Sequence, residues 1–382
     1  GSATRSDIAI TDPDFKYPSL WKSNIAADYK FGDGWVATIE LLYSKDINAI
    51  YHDNIGLYRT EQFVNDGGAG NARPYYNGYY SDREGNQKAA NHVVMLRNTS
   101  KGHSLYTTFQ LQKNFVDGIL KGLYLNGSYS FGQSRGVTDG TSSVATSAWK
   151  YRAALDGNAE EVGYTAGSFD GRLLLSASYT ANWSKYAATS FGLIYQRYRP
   201  FRYSYCYNGD ANGDSQFSND LMYIPANFDE VKDHLLPGDF DSQEDAWKAM
   251  NAFIEQDPYL SKHRGEYAER NGAVAPFANQ LDLSVSHDIK IYQKNGRSHT
   301  LRFSFNIANF LNLLNRNWGV VQTTVLGNQQ YQFLTIPKGQ GPSAANNYTL
   351  KYTMAKDLDE TFKDNLNDVS RWQMQFGIKY IF

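Results

Sequence analysis

The last eleven residues of the chain, Trp372–Phe382, alternate between two kinds of side chain. Every even position carries a large apolar residue, whereas four of the five odd positions carry Gln, Gln, Gly and Lys, and only Ile381 departs. Successive side chains of a β-strand point to opposite faces of the sheet. The pattern therefore predicts a strand with one apolar face and one polar face.

The same alternation recurs upstream and predicts an all-β chain. We predict eleven strands, near 20–31, 35–51, 93–115, 119–132, 172–184, 188–201, 279–291, 299–311, 328–336, 347–354 and 369–382. The apolar piece Trp318–Leu326 is predicted to be β-structure within a loop, because a spanning strand there would break the up-and-down order of the chain.

The connections between these strands alternate in length. Short turns lie near 32–34, 116–118, 184–187 and 292–297, and long polar stretches lie near 59–92, 133–171, 202–278 and 355–370. Short turns on one side and long loops on the other are typical of an antiparallel transmembrane β-barrel in a bacterial outer membrane. We therefore expect extracellular long loops and a periplasmic C-terminus.

The composition agrees with a barrel wall and excludes other classes. Mean hydropathy is −0.55, as expected when lipid-facing and lumen-facing residues alternate. The sequence has no apolar stretch long enough for a transmembrane helix. A formal charge of −2 gives no basic footprint for nucleic acid. The single cysteine, Cys206, excludes an intrachain disulfide and a cysteine-based metal centre.

Eleven strands do not make a closed barrel of the usual kind, because single-chain bacterial barrels have even strand numbers. Eleven is half of the twenty-two strands found in plugged outer-membrane transporters. The count therefore predicts that the chain represents half of a 22-stranded barrel.

Several segments resemble one receptor family. They are Phe253–Asp257, Leu260–Gly265, Tyr267–Gly272, Ala275–Leu283, Phe303–Gly319 and Arg371–Phe382. They resemble the TonB-dependent outer-membrane receptors of Bacteroidetes, with the Oar-like and SusC/RagA-like branches closest. The resemblance implies that residues 1–382 form the C-terminal part of the receptor β-barrel, with the plug and the N-terminal strands absent from this chain.

The family resemblance also implies a function and partners. The whole receptor would import a large nutrient, an oligosaccharide or a peptide, across the outer membrane. Its partners would be outer-membrane lipid, the plug and the N-terminal barrel half, the TonB–ExbB–ExbD system acting through the absent plug, the barrel-assembly machinery and a surface lipoprotein.

The final strand carries a candidate assembly signal. The residues are Phe376, Ile378, Tyr380 and Phe382. They resemble the terminal signal that the barrel-assembly machinery reads by strand pairing. The alternative interpretation is lipid-facing packing with an aromatic anchor at the membrane interface.

A second candidate is a calcium site in a polar loop. Asp210, Asn212 and Asp214 place three oxygen-bearing side chains at i, i+2 and i+4, and Asn219 and Asp220 could add ligands. This spacing suits a hard cation such as Ca²⁺. The match to an EF-hand loop is poor, because its glycine stands at position 4 and its position 12 is a leucine. The alternative is a polar Asn/Asp/Gly loop without a cation.

A third candidate is a set of aromatic residues in the long loops that would bind substrate. The residues are Tyr75, Tyr76, Tyr79, Tyr80, Trp149, Tyr203 and Tyr205. Exposed aromatic rings stack on sugars or peptide side chains, and tyrosine adds a hydroxyl group. The alternative, which we favour, is that these rings pack the loops together or form an interfacial girdle.

One helix is predicted over 241–256, within the longest loop. Ser242 and Asp245 give a capping pattern, and Pro258 follows the end of the helix. Catalysis finds no support, because the sequence has no zinc-protease, nucleophile-elbow or phosphate-loop motif. We therefore expect a protein that is not an enzyme.

Two other functions compete with the transporter. A passive porin-like barrel, complete in itself, requires pairing between 20–31 and 372–382. A soluble carbohydrate-binding β-sandwich or adhesin requires that the apolar face of Trp372–Phe382 be buried against a second sheet.

Overall fold

A computed structural model describes residues 7–68, 72–79, 92–140, 142–292, 298–326 and 330–382. These residues form an all-β fold with few helices. The strands of the first half are β1 Ile8–Thr11, β2 Leu20–Phe31, β3 Trp35–Asp46, β4 Ala49–Asn54, β5 Leu57–Phe63, β6 Pro74–Tyr79, β7 Val93–Thr99, β8 His103–Asn114, β9 Leu123–Gly136, β10 Gly163–Tyr164, β11 Arg172–Ser184 and β12 Ala187–Tyr198. The strands of the second half are β13 Arg202–Tyr205, β14 Tyr223–Ile224, β15 Glu266–Tyr267, β16 Ala273–Val274, β17 Ala278–Tyr292, β18 Ser298–Ala308, β19 Gln322–Thr324, β20 Gln330–Tyr331, β21 Leu334–Thr335, β22 Thr353–Met354, β23 Phe362–Asp364 and β24 Gln373–Ile381.

Nine long strands form the main sheet. Their order is β2-β3-β8-β9-β11-β12-β17-β18-β24, and β10 joins this sheet through β9 alone. All neighbours along the path are antiparallel. Each strand of the path has a predicted counterpart, so the main sheet confirms nine of the eleven predicted strands.

Two of the predicted spanning strands are wrong. The structure replaces 328–336 and 347–354 by the short strands β20, β21 and β22, none of which belongs to the main sheet. Tyr331 and Tyr352 are fully buried in these segments. Alternation indicates that one side of a strand is apolar, but either protein or lipid can cover that side. It therefore does not distinguish a spanning strand from one packed inside protein.

Two further predicted strands are too long. The range 35–51 divides into β3 and β4, and the range 93–115 divides into β7 and β8. In each range the part beyond the main sheet joins a separate three-stranded sheet with the order β1-β7-β4. The predicted β-structure within 318–326 is confirmed, because β19 lies there and pairs with β23.

The connections at one end of the main sheet pack into a second layer, which we call the loop core. Its largest cluster contains buried side chains from residues 64–75, 203–273 and 331–354. Among its most enclosed members are Tyr205, Met222, Phe253, Phe333 and Tyr352. The long loops therefore carry their own hydrophobic core.

Helices are short and lie outside the main sheet. They are α1 Ala145–Lys150, α2 Gln243–Gln256 and α3 Phe310–Leu314, with 3₁₀ turns at Phe228–Glu230, Leu260–Lys262, Ala344–Asn346 and Asp368–Ser370. The helix α2 confirms the prediction over 241–256: the Ser242 hydroxyl accepts a hydrogen bond from the backbone N–H of Asp245 at 3.1 Å. The expectation of a single helix is wrong, because α1 and α3 accompany it.

Candidate functional site

One face of the main sheet is a continuous apolar surface. Tyr179, Phe191, Val285, Phe305 and Phe376 stand side by side on five neighbouring strands. On the last strand, Phe376 is 64% exposed and Ile378 is 63% exposed. Soluble monomers rarely expose apolar patches of this extent. This face therefore requires a partner or an apolar solvent.

The opposite face is polar and is held together across the strands. Ser284 donates a hydrogen bond to Asn306 at 2.7 Å, and the Gln196 amide donates to Gln280 at 3.0 Å. A guanidinium on β18, that of Arg302, binds both oxygens of Asp288 on β17 at 2.6 and 2.7 Å. The exposed large apolar departures among the described side chains of this face are Leu20, Leu42, Ile194 and Ile381. The two faces thus differ in chemistry.

The two edges of the main sheet, β2 and β24, are not neighbours in its strand order. Eight antiparallel pairings separate them, so the two edge strands run in the same direction. An edge strand presents unpaired backbone N–H and C=O groups. The main sheet is therefore open at both sides within the described residues.

The four residues of the candidate assembly signal come together on the apolar side of β24. Phe376, Ile378 and Tyr380 are exposed on this strand, and Phe382 follows it. The Tyr380 hydroxyl lies 2.6 Å from Nδ1 of His299 on β18. The edge is thus positioned for strand pairing, and recognition by an assembly factor stays a prediction.

Six of the seven aromatic residues proposed to bind substrate lie inside protein. Those described and buried are Tyr75, Tyr76, Tyr79, Trp149, Tyr203 and Tyr205. Tyr80 lies outside the described residues. Such buried rings present no face on which a sugar could stack. The geometry favours the packing role, and substrate binding by these residues stays an untested prediction.

Hydrogen bonds explain why tyrosine occupies these buried positions. The Tyr205 hydroxyl donates to Asp257 at 2.6 Å, and the Tyr76 hydroxyl donates to Asp156 at 2.6 Å. The indole N–H of Trp149 donates to Asn158 at 2.9 Å. Buried polar groups require partners of this kind. The rings therefore contribute both apolar packing and specific polar contacts to the loop core.

The acidic loop 210–220 folds as a compact turn against β6. Both oxygens of Asp210 accept backbone hydrogen bonds, from Gly213 at 2.6 Å and from Ser215 at 2.8 Å. Gly213 has a φ of 82°, and a side chain there would collide with the carbonyl oxygen of Tyr76. The hydrogen bonds of Asp210 therefore specify the shape of this turn, and the glycine at 213 lets it approach β6.

Burial and mutual repulsion make this turn electrostatically costly. Burial, followed by the charges of Asp220 and Asp210, raises the pKa of Asp214 well above its usual value. Burial raises the pKa of Asp220 to about 7, although the nearby charge of Arg73 opposes this shift. Within the described residues, no group of three or more His, Cys, Asp or Glu side chains is arranged to hold a metal ion. The structure therefore gives no support to the calcium interpretation.

An enclosed arginine joins the acidic turn to the rest of the loop core. Arg73 donates to Asp66 at 2.9 Å, to Asp220 at 3.3 Å and to the carbonyl oxygen of Leu221. Asp66 and Asp220 raise the pKa of Arg73 despite its burial, so the guanidinium is charged. Sequence reasoning missed this group, because the partners are 7 and 147 residues apart.

A second buried arginine fastens the loop core to the main sheet. Arg270 donates to the carbonyl oxygens of Gly136, Val137 and Gly163. Gly136 ends β9 and pairs with Gly163 of β10. Arg270 belongs to the segment Tyr267–Gly272, which carried the family resemblance. The geometry gives this segment a structural role at the junction of the two layers.

No helix in the described part of the chain has the length and apolar character needed to cross a membrane. Comparisons with protein-family models, with curated proteins and with solved structures find no match to this chain.

Proposed function

We propose that this chain forms part of the wall of a membrane-spanning β-barrel. The observation that carries the proposal is the unlike chemistry of the two faces of the main sheet. The exposed apolar face would contact lipid acyl chains, and the polar face, with its cross-strand hydrogen bonds, would line the lumen. Such alternation is the rule in outer-membrane barrels.

The strand lengths support the proposal. The strands of the main path contain between 9 and 15 residues. Twelve residues, as in β2 and β3, extend about 40 Å at roughly 3.3 Å per residue. At a tilt of about 45° they cover about 28 Å along the membrane normal, close to the thickness of the hydrocarbon core.

The open edges indicate that more strands belong to the barrel. An unpaired edge in lipid costs several kcal/mol for each backbone group. Because β2 and β24 run in the same direction, an odd number of additional strands would restore antiparallel pairing all round. The total would then be even, as in the 22-stranded barrels of plugged transporters.

We further propose, from the resemblance of segments such as Tyr267–Gly272 and Phe303–Gly319, that the complete barrel is a TonB-dependent transporter for a large nutrient. In this proposal the loop core faces the extracellular medium and the C-terminus lies in the periplasm. The plug and the other strands belong to the rest of the receptor, and energy coupling passes through that plug.

The competing functions receive less support. A porin-like barrel complete in itself needs β2 paired with β24, and these strands are the two edges of the sheet. A soluble sandwich needs the apolar side of β24 covered, and Phe376 and Ile378 are among its most exposed side chains.

Spin labelling at two adjacent positions tests the membrane proposal. Phe376 and Gln375 are neighbours on β24 and point to opposite faces, so Gln375→Cys is the matched control for Phe376→Cys. The native Cys206 thiol is buried, and burial raises its pKa, so it resists labelling.

The labelled variants are reconstituted with lipid, in the complete particle. We expect the label at 376 to be accessible to oxygen, which partitions into acyl chains, and the label at 375 to be accessible to a water-soluble nickel chelate. Equal access of the chelate to both labels would refute the membrane-wall proposal.

The mass of the particle tests the transporter proposal. Native mass spectrometry of the protein, purified from its own membrane with detergent, is expected to show additional polypeptide that contains the plug and further strands. A particle that contains this sheet alone, or its copies alone, would contradict the proposal.

A further inference from the structure

A cleft of about 690 Å³ lies over the three-stranded sheet β1-β7-β4. Its floor is a row of three side chains, Thr11, Leu96 and His52, which stand side by side in the register of the sheet. This volume falls within the range of about 300–1,000 Å³ that is usual for small-molecule sites.

The cleft lies at the end of the polar face of the main sheet, because one of its walls is formed by the ends of β2 and β3. Leu20 and Asp46 are cross-strand partners at the ends of β2 and β3, and both line the cleft. Asp46 is on the same face of β3 as Glu40, since their positions along the strand differ by six. The cleft therefore continues the polar face of the main sheet into the loop layer.

The cleft is acidic. Asp46 and Asp139 line it, and no lysine or arginine does so among the described residues. Asp139 accepts hydrogen bonds from Ala166 N–H at 2.8 Å and from the Asn271 amide at 3.0 Å. No hydrogen bond or ion pair of the described residues uses the Asp46 carboxylate.

The histidine on the floor does not offset these charges. Burial, and then the charge of Arg152, lowers the pKa of His52, so its ring is neutral at pH 7. Apolar side chains, among them Ala9, Ile50 and Leu96, make up much of the remaining surface. The cleft thus combines two carboxylates with an apolar surface.

We propose that this cleft binds a small cationic amphipathic ligand, such as a short peptide that carries a lysine or arginine beside an apolar side chain. The amine or guanidinium of the ligand pairs with Asp46, whose carboxylate has no partner among the described residues. Charge-assisted hydrogen bonds of this kind are about twice as strong as neutral ones. The apolar part of the ligand lies on Leu96 and Ile50. This proposal does not rest on the membrane proposal, because every residue it uses lies at or beyond the end of the main sheet.

Calorimetry with defined peptides tests the proposal on the whole particle in detergent. The probes are the acetylated tripeptide amide Leu-Lys-Leu, its counterpart Leu-Glu-Leu and the neutral sugar maltotriose. We expect the lysine peptide to bind, and the glutamate peptide to bind at least about ten-fold more weakly. Failure of the lysine peptide to bind, or equal binding of the two peptides, would overturn the proposal. Stronger binding of maltotriose would overturn it in favour of an oligosaccharide site.

Two variants and one control locate the binding. Asp46→Asn keeps the shape of the side chain and removes its charge, and we expect about ten-fold weaker binding of the lysine peptide. Ser142→Trp fills the cleft from its loop wall and is expected to abolish binding. Asp28→Asn removes a carboxylate of the same strand pair, about 26 Å along β2 from Leu20, and should leave the affinity unchanged. Unchanged affinity in both cleft variants would place the ligand elsewhere.

Discussion

Arg73 Nε and Asp66 Oδ2 lie 2.9 Å apart, and both side chains are enclosed by protein. The same guanidinium reaches Asp220 at 3.3 Å, in the acidic turn. Removing one partner of a buried ion pair leaves an uncompensated charge, which typically costs about 3–5 kcal/mol. The loop core therefore depends on the charge of Arg73. The sequence around Arg73 does not reveal its distant partner Asp220.

The Arg73→Met variant tests this dependence. We expect a loss of about 3–5 kcal/mol in the local stability of the loop core, measured as faster hydrogen exchange over residues 203–224. The control is Arg59→Met, since Arg59 pairs with Asp156 at 3.0 Å but its side chain is 53% exposed. An exposed pair is worth about 0–1 kcal/mol. Similar exchange in the two variants would show that enclosure of Arg73 contributes nothing.

The acidic turn predicts a pH dependence whose sign is fixed. Asp214 has a folded-state pKa raised above the unfolded value, so between these values the folded state binds the extra proton. The contribution of this group to stability therefore falls as the pH rises above about 4. We expect Asp214→Asn to become progressively more stable than the natural protein as the pH rises to about 7.5.

Thermal unfolding of the two proteins over this pH range measures the difference between their midpoints. The exposed Asp229 supplies the control, because Asp229→Asn should give no comparable trend. A difference between Asp214→Asn and the natural protein that shrinks with rising pH would contradict the prediction. Adding calcium to the same samples tests the cation interpretation, which requires a higher midpoint in the natural protein.

Arg270 is a second arginine that is difficult to replace, because it donates hydrogen bonds to three backbone carbonyl groups. Arg270→Met would leave the carbonyl oxygens of Gly136, Val137 and Gly163 short of donors, at about 1–3 kcal/mol for each group left unsatisfied. We expect faster hydrogen exchange at 134–139 and 163–165. Arg270→Lys should rescue little, because an ammonium lacks the planar fork of donors.

The control for this experiment is Arg371→Met, at an exposed position near the start of β24. If Arg270→Lys restored full protection at 134–139, the carbonyl groups would need charge and not the geometry of a guanidinium.

The cap of α2 predicts a smaller effect. Ser242→Ala removes the acceptor for the Asp245 N–H, which should cost about 1 kcal/mol. Hydrogen exchange at residues 244–246 measures the loss, and Ser100→Ala at an exposed position is the control. Equal exchange in the two variants would mean that packing of Met250 and Phe253 holds the helix without its cap.

The strands of the main sheet could be predicted from the sequence because each has one exposed apolar face and one polar face. The polar side chains form hydrogen bonds with those of neighbouring strands. Along Trp372–Phe382 the side-chain period is visible without knowledge of any partner. The segments 328–336 and 347–354 show similar alternation, but their apolar sides meet the loop core. An alternation with a period of two residues indicates a strand, but it does not show whether protein or lipid covers the apolar side of that strand.

The polar contacts of the loop core could not be predicted from the sequence, because their partners are far apart along the chain. Arg73 and Asp220, or Arg270 and Val137, are brought together only by the path of the chain between them. The tyrosines show the same limit, since a Tyr-rich loop looks alike whether its rings face solvent or, as for Tyr205, meet a buried carboxylate. Local patterns specify elements, whereas enclosure depends on topology.

The shared direction of the edge strands β2 and β24 also decides which molecules can complete the sheet. Copies of this chain placed side by side with their loop layers on one side of a membrane would offer only edges that point the same way. Every junction between such copies would be parallel, and only an upside-down copy would correct it. In the barrel that we propose, copies of this chain in one orientation therefore cannot form a fully antiparallel cylinder, and the additional strands would have a different sequence.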